Sequence, residues 1–223
     1  MPHSVKMPDY VIQRVMAKRG KLSVYDSFDP AKTALLVIDM QNFYVAEVET
    51  AKSIVPNINR LAAVCRAKGS AVYWVVMSVA EKPGAPSQWR IYHDHFFTPE
   101  KAAKHKNGLT PGDPAHALYP ALDLKPGDEI VQKMRFSPFI AGSSDLHDRL
   151  RARGIENLIV AGTATNMCSE SAARDAMMLD YKVVMVEDAN AARYDEDHLA
   201  GLTSFYQSFG DVKSTDATIA MLG

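Results

Sequence analysis

Three side chains of complementary chemistry directly follow apolar runs in this sequence. The Asp39 carboxyl closes ALLVID, the Lys133 amine closes EIVQK, and the Cys168 thiol follows LIVAG through the turn GTATNMC. A thiol attacks an electrophilic carbon as its thiolate, and a helix N-terminus and a nearby ammonium both favour that anion, so Cys168 is expected to have a lowered pKa. Asp39 would accept the thiol proton and return it to a leaving amine, while Lys133 keeps the carboxylate ionised. Backbone N–H groups of the strand-to-helix turn would hold a developing oxyanion. Singly, each has a plainer reading. An aspartate after a strand often serves a turn, a strand-ending lysine is usually solvated, and a lone cysteine is often inert. Only joint placement at the strand ends of one sheet makes them a site.

That placement depends on the elements around them. Apolar runs at 34–38, 71–77, 129–132, 158–161 and 183–186, with a weaker one at 211–214, read as strands. Several lack polar alternation, as expected of strands covered on both faces. Helical spacing separates them. Ile54, Ile58, Leu61 and Cys65 fall on one face before Gly69, which makes Cys65 a core residue. Leu146 and Leu150 precede Gly154, Ala172, Ala173, Ala176 and Leu179 precede Tyr181, and Leu199, Leu202, Phe205 and Phe209 complete the set. Alternating strands and helices imply a doubly wound α/β layer structure of parallel strands, with ligands at the carboxyl ends of those strands. Residues 1–30 read as an N-terminal arm, with a short helix around 10–18, and 31–223 as a single domain. Segment 78–127, with seven prolines and four glycines, is too long for a plain connection and reads as a lid or interface loop.

Composition removes several function classes. The 223 residues carry 25 basic and 26 acidic side chains, so no general field attracts nucleic acid, and none is expected as a partner. An apolar share of 47% excludes wholesale disorder. No apolar run approaches the roughly 20 residues of a membrane span, so no membrane partner is expected. The first residues lack the pattern of a secretory signal, so the expected compartment is the cytoplasm. Cys65 and Cys168 are too few for a disulfide scaffold. A dinucleotide-binding oxidoreductase is disfavoured because no GxGxxG follows any strand.

The segments ALLVIDMQNFY, KMRFSPF and VAGTATNMCSESAARDAMMLDYKVVMVEDA, in this order, resemble the isochorismatase-like cysteine hydrolases, over residues 33 to about 215. The resemblance implies a three-layer α/β/α, doubly wound fold on a mostly parallel six-stranded sheet, and an Asp39, Lys133, Cys168 triad that hydrolyses a C–N bond through a thioester. It also implies a cis peptide between Thr163 and Ala164, with the Ala164 and Cys168 amides forming an oxyanion hole. Homo-oligomers, dimeric or tetrameric, are expected. The GTATNMCSES and RDAMMLDY segments lie nearest the ureidoacrylate and N-carbamoylsarcosine amidohydrolases, which act on small amide, ureido or carbamoyl compounds. Isochorismatases proper cleave a vinyl ether and need no thiol; that activity, or non-catalytic binding of a small molecule or a scaffold role on the same fold, are the alternatives.

Substrate-contact candidates flank the triad: Gln41, Asn42 and Phe43 beside Asp39, Phe139 after Lys133, Thr165 and Asn166 before Cys168, and Trp89 and Tyr92 from the long segment. Arg90, Arg135 and Arg193 could each anchor a substrate carboxylate, and the sequence does not choose among them. No cofactor and no metal are expected. The second strand ends MSVAEKPG without the Asp-x-His metal motif of nicotinamidases, and His93, Asp94 and His95, in what reads as an extended segment, would point to opposite sides.

Overall fold

Six parallel strands lie in the order β3-β2-β1-β4-β5-β6 in the computed structural model, which describes residues 3, 4 and 6–223. Along the chain run α1 (Asp9–Arg19), β1 (Thr33–Ile38), α2 (Asn42–Val45), α3 (Glu49–Ser53), α4 (Val55–Lys68) and β2 (Ala71–Met77). Next come α5 (Arg90–His95), α6 (Pro99–Gly108), β3 (Glu129–Lys133), α7 (Leu146–Ala152) and β4 (Asn157–Thr163). A π-helical turn, Thr165–Ser169, leads into α8 (Glu170–Met178), followed by β5 (Lys182–Ala191), α9 (Asp195–Tyr206), β6 (Asp211–Lys213) and α10 (Thr215–Ala220). The sheet is wholly parallel, a stricter arrangement than the mostly parallel one expected.

Both faces of the sheet are covered, which is why its strands are apolar at successive positions. Along β1, Leu36 and Ile38 pack with Leu146, Leu150, Ala172 and Phe205 on one side. Leu35 and Val37 pack with Ile58, Leu61, Cys65 and Met221 on the other. Side chains alternate across a strand, so one hydrophobic run feeds two cores. Gly69 ends α4 at φ 85°, its N–H returning to Arg66 and Cys65 carbonyls.

The strand order reverses between β1 and β4, and the crevice expected at such a switch point opens at their carboxyl ends. Gly162, at φ 122°, lets β4 approach β1 there; a Cβ would meet the Ile38 carbonyl oxygen at 2.1 Å. The 78–127 segment is not a structureless loop, since it contains α5 and α6. The run His93, Asp94, His95 is helical rather than extended, and it buries His93 while leaving Asp94 and His95 exposed. Ahead of β1, Val11 and Val15 of α1 pack against Tyr206 of α9.

Candidate active site

Asp39 follows β1, Cys168 sits in the turn after β4, and Lys133 ends β3, two strands from β1. A strand spacing of about 4.8 Å puts β3 roughly 10 Å from β1, so the Lys133 side chain must extend across β2. It does: Lys133 Nζ donates to Asp39 Oδ2 at 2.8 Å, to the Arg135 carbonyl at 3.1 Å and to Cys168 Sγ at 3.5 Å. All three ammonium donors are thereby used, which fixes the charge in place. Asp39, Lys133 and Cys168 are 1%, 0% and 6% exposed. The buried Asp39 Oδ1 has no hydrogen-bond partner among the described residues, which leaves its lone pairs for a proton. The Thr163–Ala164 peptide is cis, at the position where the resemblance implies one.

Burial and the charges of the three groups together set the directions of their pKa shifts. Burial raises the Asp39 pKa against the pull of Lys133 and the hydrogen bonds to the carboxylate. Burial and then the Asp39 charge push the Cys168 thiol up, with Lys133 opposing. This corrects the expected lowering of the thiol pKa, because desolvating a sulfur anion outweighs the nearby cation. Burial works to lower the Lys133 pKa, but Asp39 and then Cys168 raise it on balance. The resting arrangement is therefore a thiol beside a carboxylate of enhanced basicity, braced by a permanent ammonium. It suits attack with simultaneous proton transfer rather than a standing thiolate.

Asp39 and Cys168 open onto a cavity of about 470 Å³, together with Thr163 and Ala164. Of the substrate-contact candidates, Phe43 and Tyr92 line it. The others do not, each for a visible reason. Gln41 is fully buried, with its amide spent on the Met77 N–H and the Met77 and His116 carbonyls. Asn42 donates to the Pro114 carbonyl and borders an adjacent depression. Trp89 stacks on Tyr92 and lines a separate depression of about 620 Å³ that contains none of the three reactive groups. Phe139 packs on the core beside Tyr181. Thr165 is buried against His198 Nδ1 at 2.7 Å, and the Asn166 backbone lies under Gly201 of α9.

Tyr44, Phe97, His105, Phe136, Met167 and Arg193 complete much of the wall and were not singled out as contacts, although Arg193 stood among the possible anchors. A longer reading of β5 would have pointed to Arg193, because the strand runs on to Ala191 and the next two residues also line the cavity. Arg135 instead donates to the Met134 and Gln88 carbonyls and sits over Trp89, and Arg90 pairs with Asp94 at 3.8 Å. Arg193 makes no hydrogen bond or ion pair with the described residues. Among those residues, no group of three or more His, Cys, Asp or Glu side chains is arranged to hold a metal ion. Nor is any helix among them long and apolar enough to cross a membrane.

Residues 33–217 match the family described as the isochorismatase domain. Solved structures with the same fold include a cysteine hydrolase from Pseudomonas syringae pv. phaseolicola, at TM-score 0.79 and 28% identity, covering 91% of this chain and 97% of that one. An isochorismatase family protein from Burkholderia thailandensis matches at TM-score 0.69 and 28% identity, over 89% and 98% of the two chains. The N-carbamoylsarcosine amidase of Thermoplasma acidophilum matches at TM-score 0.64 and 27% identity, over 83% and 97%.

Proposed function

The chain belongs to the isochorismatase family of hydrolases, and on that premise we propose that it cleaves a C–N amide, ureido or carbamoyl bond of a small molecule. The observation that carries this reading is the Lys133 ammonium in contact with both Asp39 and Cys168 at the wall of one cavity. Cys168 Sγ attacks the carbonyl carbon while its proton passes to Asp39. The Ala164 and Cys168 N–H groups hold the oxyanion, and Asp39 hands the proton to the departing nitrogen as the C–N bond breaks. Water then attacks the thioester with Asp39 as base, freeing the acid and restoring the thiol.

A thiol nucleophile favours acyl transfer over vinyl ether cleavage, and likeness to an N-carbamoylsarcosine amidase supports a ureido or carbamoyl substrate. Arg193, the only Arg or Lys side chain lining the cavity among the described residues, supports a substrate that also bears a carboxylate. A cytoplasmic homo-oligomer is part of the proposal, and exposed apolar side chains such as Met178 and Ile130 support self-association.

An ammonia-release screen over small amides, ureas and carbamoyl compounds, each with and without a carboxylate, tests the reading on wild type and Cys168→Ala side by side. Wild type should turn over at least one compound, and the variant should lose about 10³-fold or more of that rate with an unchanged circular dichroism spectrum. Retained turnover in Cys168→Ala would overturn the proposed nucleophile.

A further inference from the structure

A chain of hydrogen bonds runs from the long segment into the cavity and fixes which nitrogen of a buried imidazole carries its proton. His93 Nδ1 lies 3.0 Å from the Trp89 carbonyl and 2.7 Å from Ser87 Oγ, which itself accepts the Trp89 N–H. A backbone carbonyl can only accept, so both contacts of His93 Nδ1 are hydrogen bonds when that nitrogen carries the proton and Ser87 Oγ accepts, the tautomer assigned to the ring. In the neutral ring His93 Nε2 is then a lone pair, and its partner at 2.9 Å, His105 Nδ1, must donate to it. His105 is left with Nε2 as a bare acceptor.

That ring lines the cavity containing Cys168. Nε2 has no partner among the described residues, and Phe43, Tyr92 and Phe97 hold the ring at centroid distances of 5.5, 5.8 and 5.0 Å. Burial, reinforced by His93, lowers its pKa to about 4, so the ring is neutral near pH 7. Arg193 can only donate and Asp39 Oδ1 is reserved for the thiol proton, so among the wall's polar groups the neutral His105 Nε2 is a nitrogen acceptor free to read a substrate N–H group.

We infer that His105 determines specificity by accepting a hydrogen bond from a substrate N–H through Nε2, which narrows the substrate class to compounds that present such a donor toward α6. The inference rests on the amide, ureido or carbamoyl reading above, and it selects ureas and primary carboxamides over fully N-alkylated ones.

Long-range ¹H–¹⁵N spectra of histidine-labelled protein test the tautomer directly, with His105 assigned by the signals lost in His105→Phe. The expected pattern is protonated Nδ1 and bare Nε2. Acetamide should move Nε2 upfield, and N,N-dimethylacetamide, which has no N–H, should leave it in place. On the best compound of the ammonia screen, His105→Phe should lose about 3- to 10-fold in kcat/KM. His105→Gln, which restores an acceptor at the same reach, should recover to within about threefold of wild type. A protonated Nε2, equal responses to the two amides, or equal losses in the two variants would overturn the inference. If wild type releases no ammonia from any compound, the hydrolysis reading fails, while the spectra still decide the role of His105.

Discussion

At the residue scale, a carboxylate whose proton affinity is raised by burial sets a measurable limit. Asp39 must be ionised to take the thiol proton, and its pKa is displaced upward. The acid limb of kcat/KM should therefore lie above the ordinary carboxylate range near 4. A pH–rate profile from pH 4 to 10 checks this; an acid limb at or below the ordinary value would count against Asp39 as the base. No alkaline limb from Lys133 should appear in that window, because its pKa is raised above an already high value. The residue types carried much of this chemistry in the sequence, since a carboxyl, an amine and a thiol at strand ends are recognisable without coordinates. Their protonation states were not legible. Desolvation belongs to the assembled site, and it reverses the direction expected for Cys168.

At the element scale, the turn that carries Cys168 is held in place from behind. A Cβ on Gly201 of α9 would lie 2.9 Å from the Asn166 Cα, so the absence of a side chain there lets the helix press directly on the turn. Gly201→Val should displace that backbone, with loss of about tenfold or more in kcat and about 1–3 kcal/mol in stability. Ala200→Ser, on the exposed side of the same helix, should leave turnover within twofold. Comparable turnover in the two variants would remove α9 from the positioning of the nucleophile. The central strands were legible because burial on both faces leaves unbroken apolar runs. β5 was read short because Glu187 and Asp188 interrupt its apolar character, although the strand continues to Ala191. The cavity wall was hardest to foresee. Of the wall residues from the segment carrying α5 and α6, the sequence nominates Tyr92 but not Phe97 or His105, which only tertiary packing turns toward β1 and β4.

At the scale of the whole molecule, His3 near the N-terminus is tied to the nucleophile turn. The His3 ring stacks on His198 at 4.1 Å and contacts Asp195 Oδ1 and the Ala192 carbonyl, and His198 contacts Thr165 Oγ1 in the turn. Burial and then the His3 charge hold the His198 pKa down to about 3. Above about pH 6.5 the ring is neutral in both folded and unfolded chains and its contribution to stability is complete. As pH falls from about 6.5 toward 3, the unfolded chain takes up a proton that the folded one refuses, so stability declines throughout that window. His105 acts in the same sense down to about 4. Urea denaturation at several pH values should show this slope, and His198→Gln should flatten it; an unchanged slope would mean that other groups dominate. A cysteine that is 6% exposed and whose thiol keeps its proton at rest offers little to a small, freely diffusing oxidant or an indiscriminate electrophile. Covalent reagents for this protein gain more from filling the cavity than from intrinsic reactivity, so a mild warhead on a well-shaped scaffold will label it faster than a fierce one without shape.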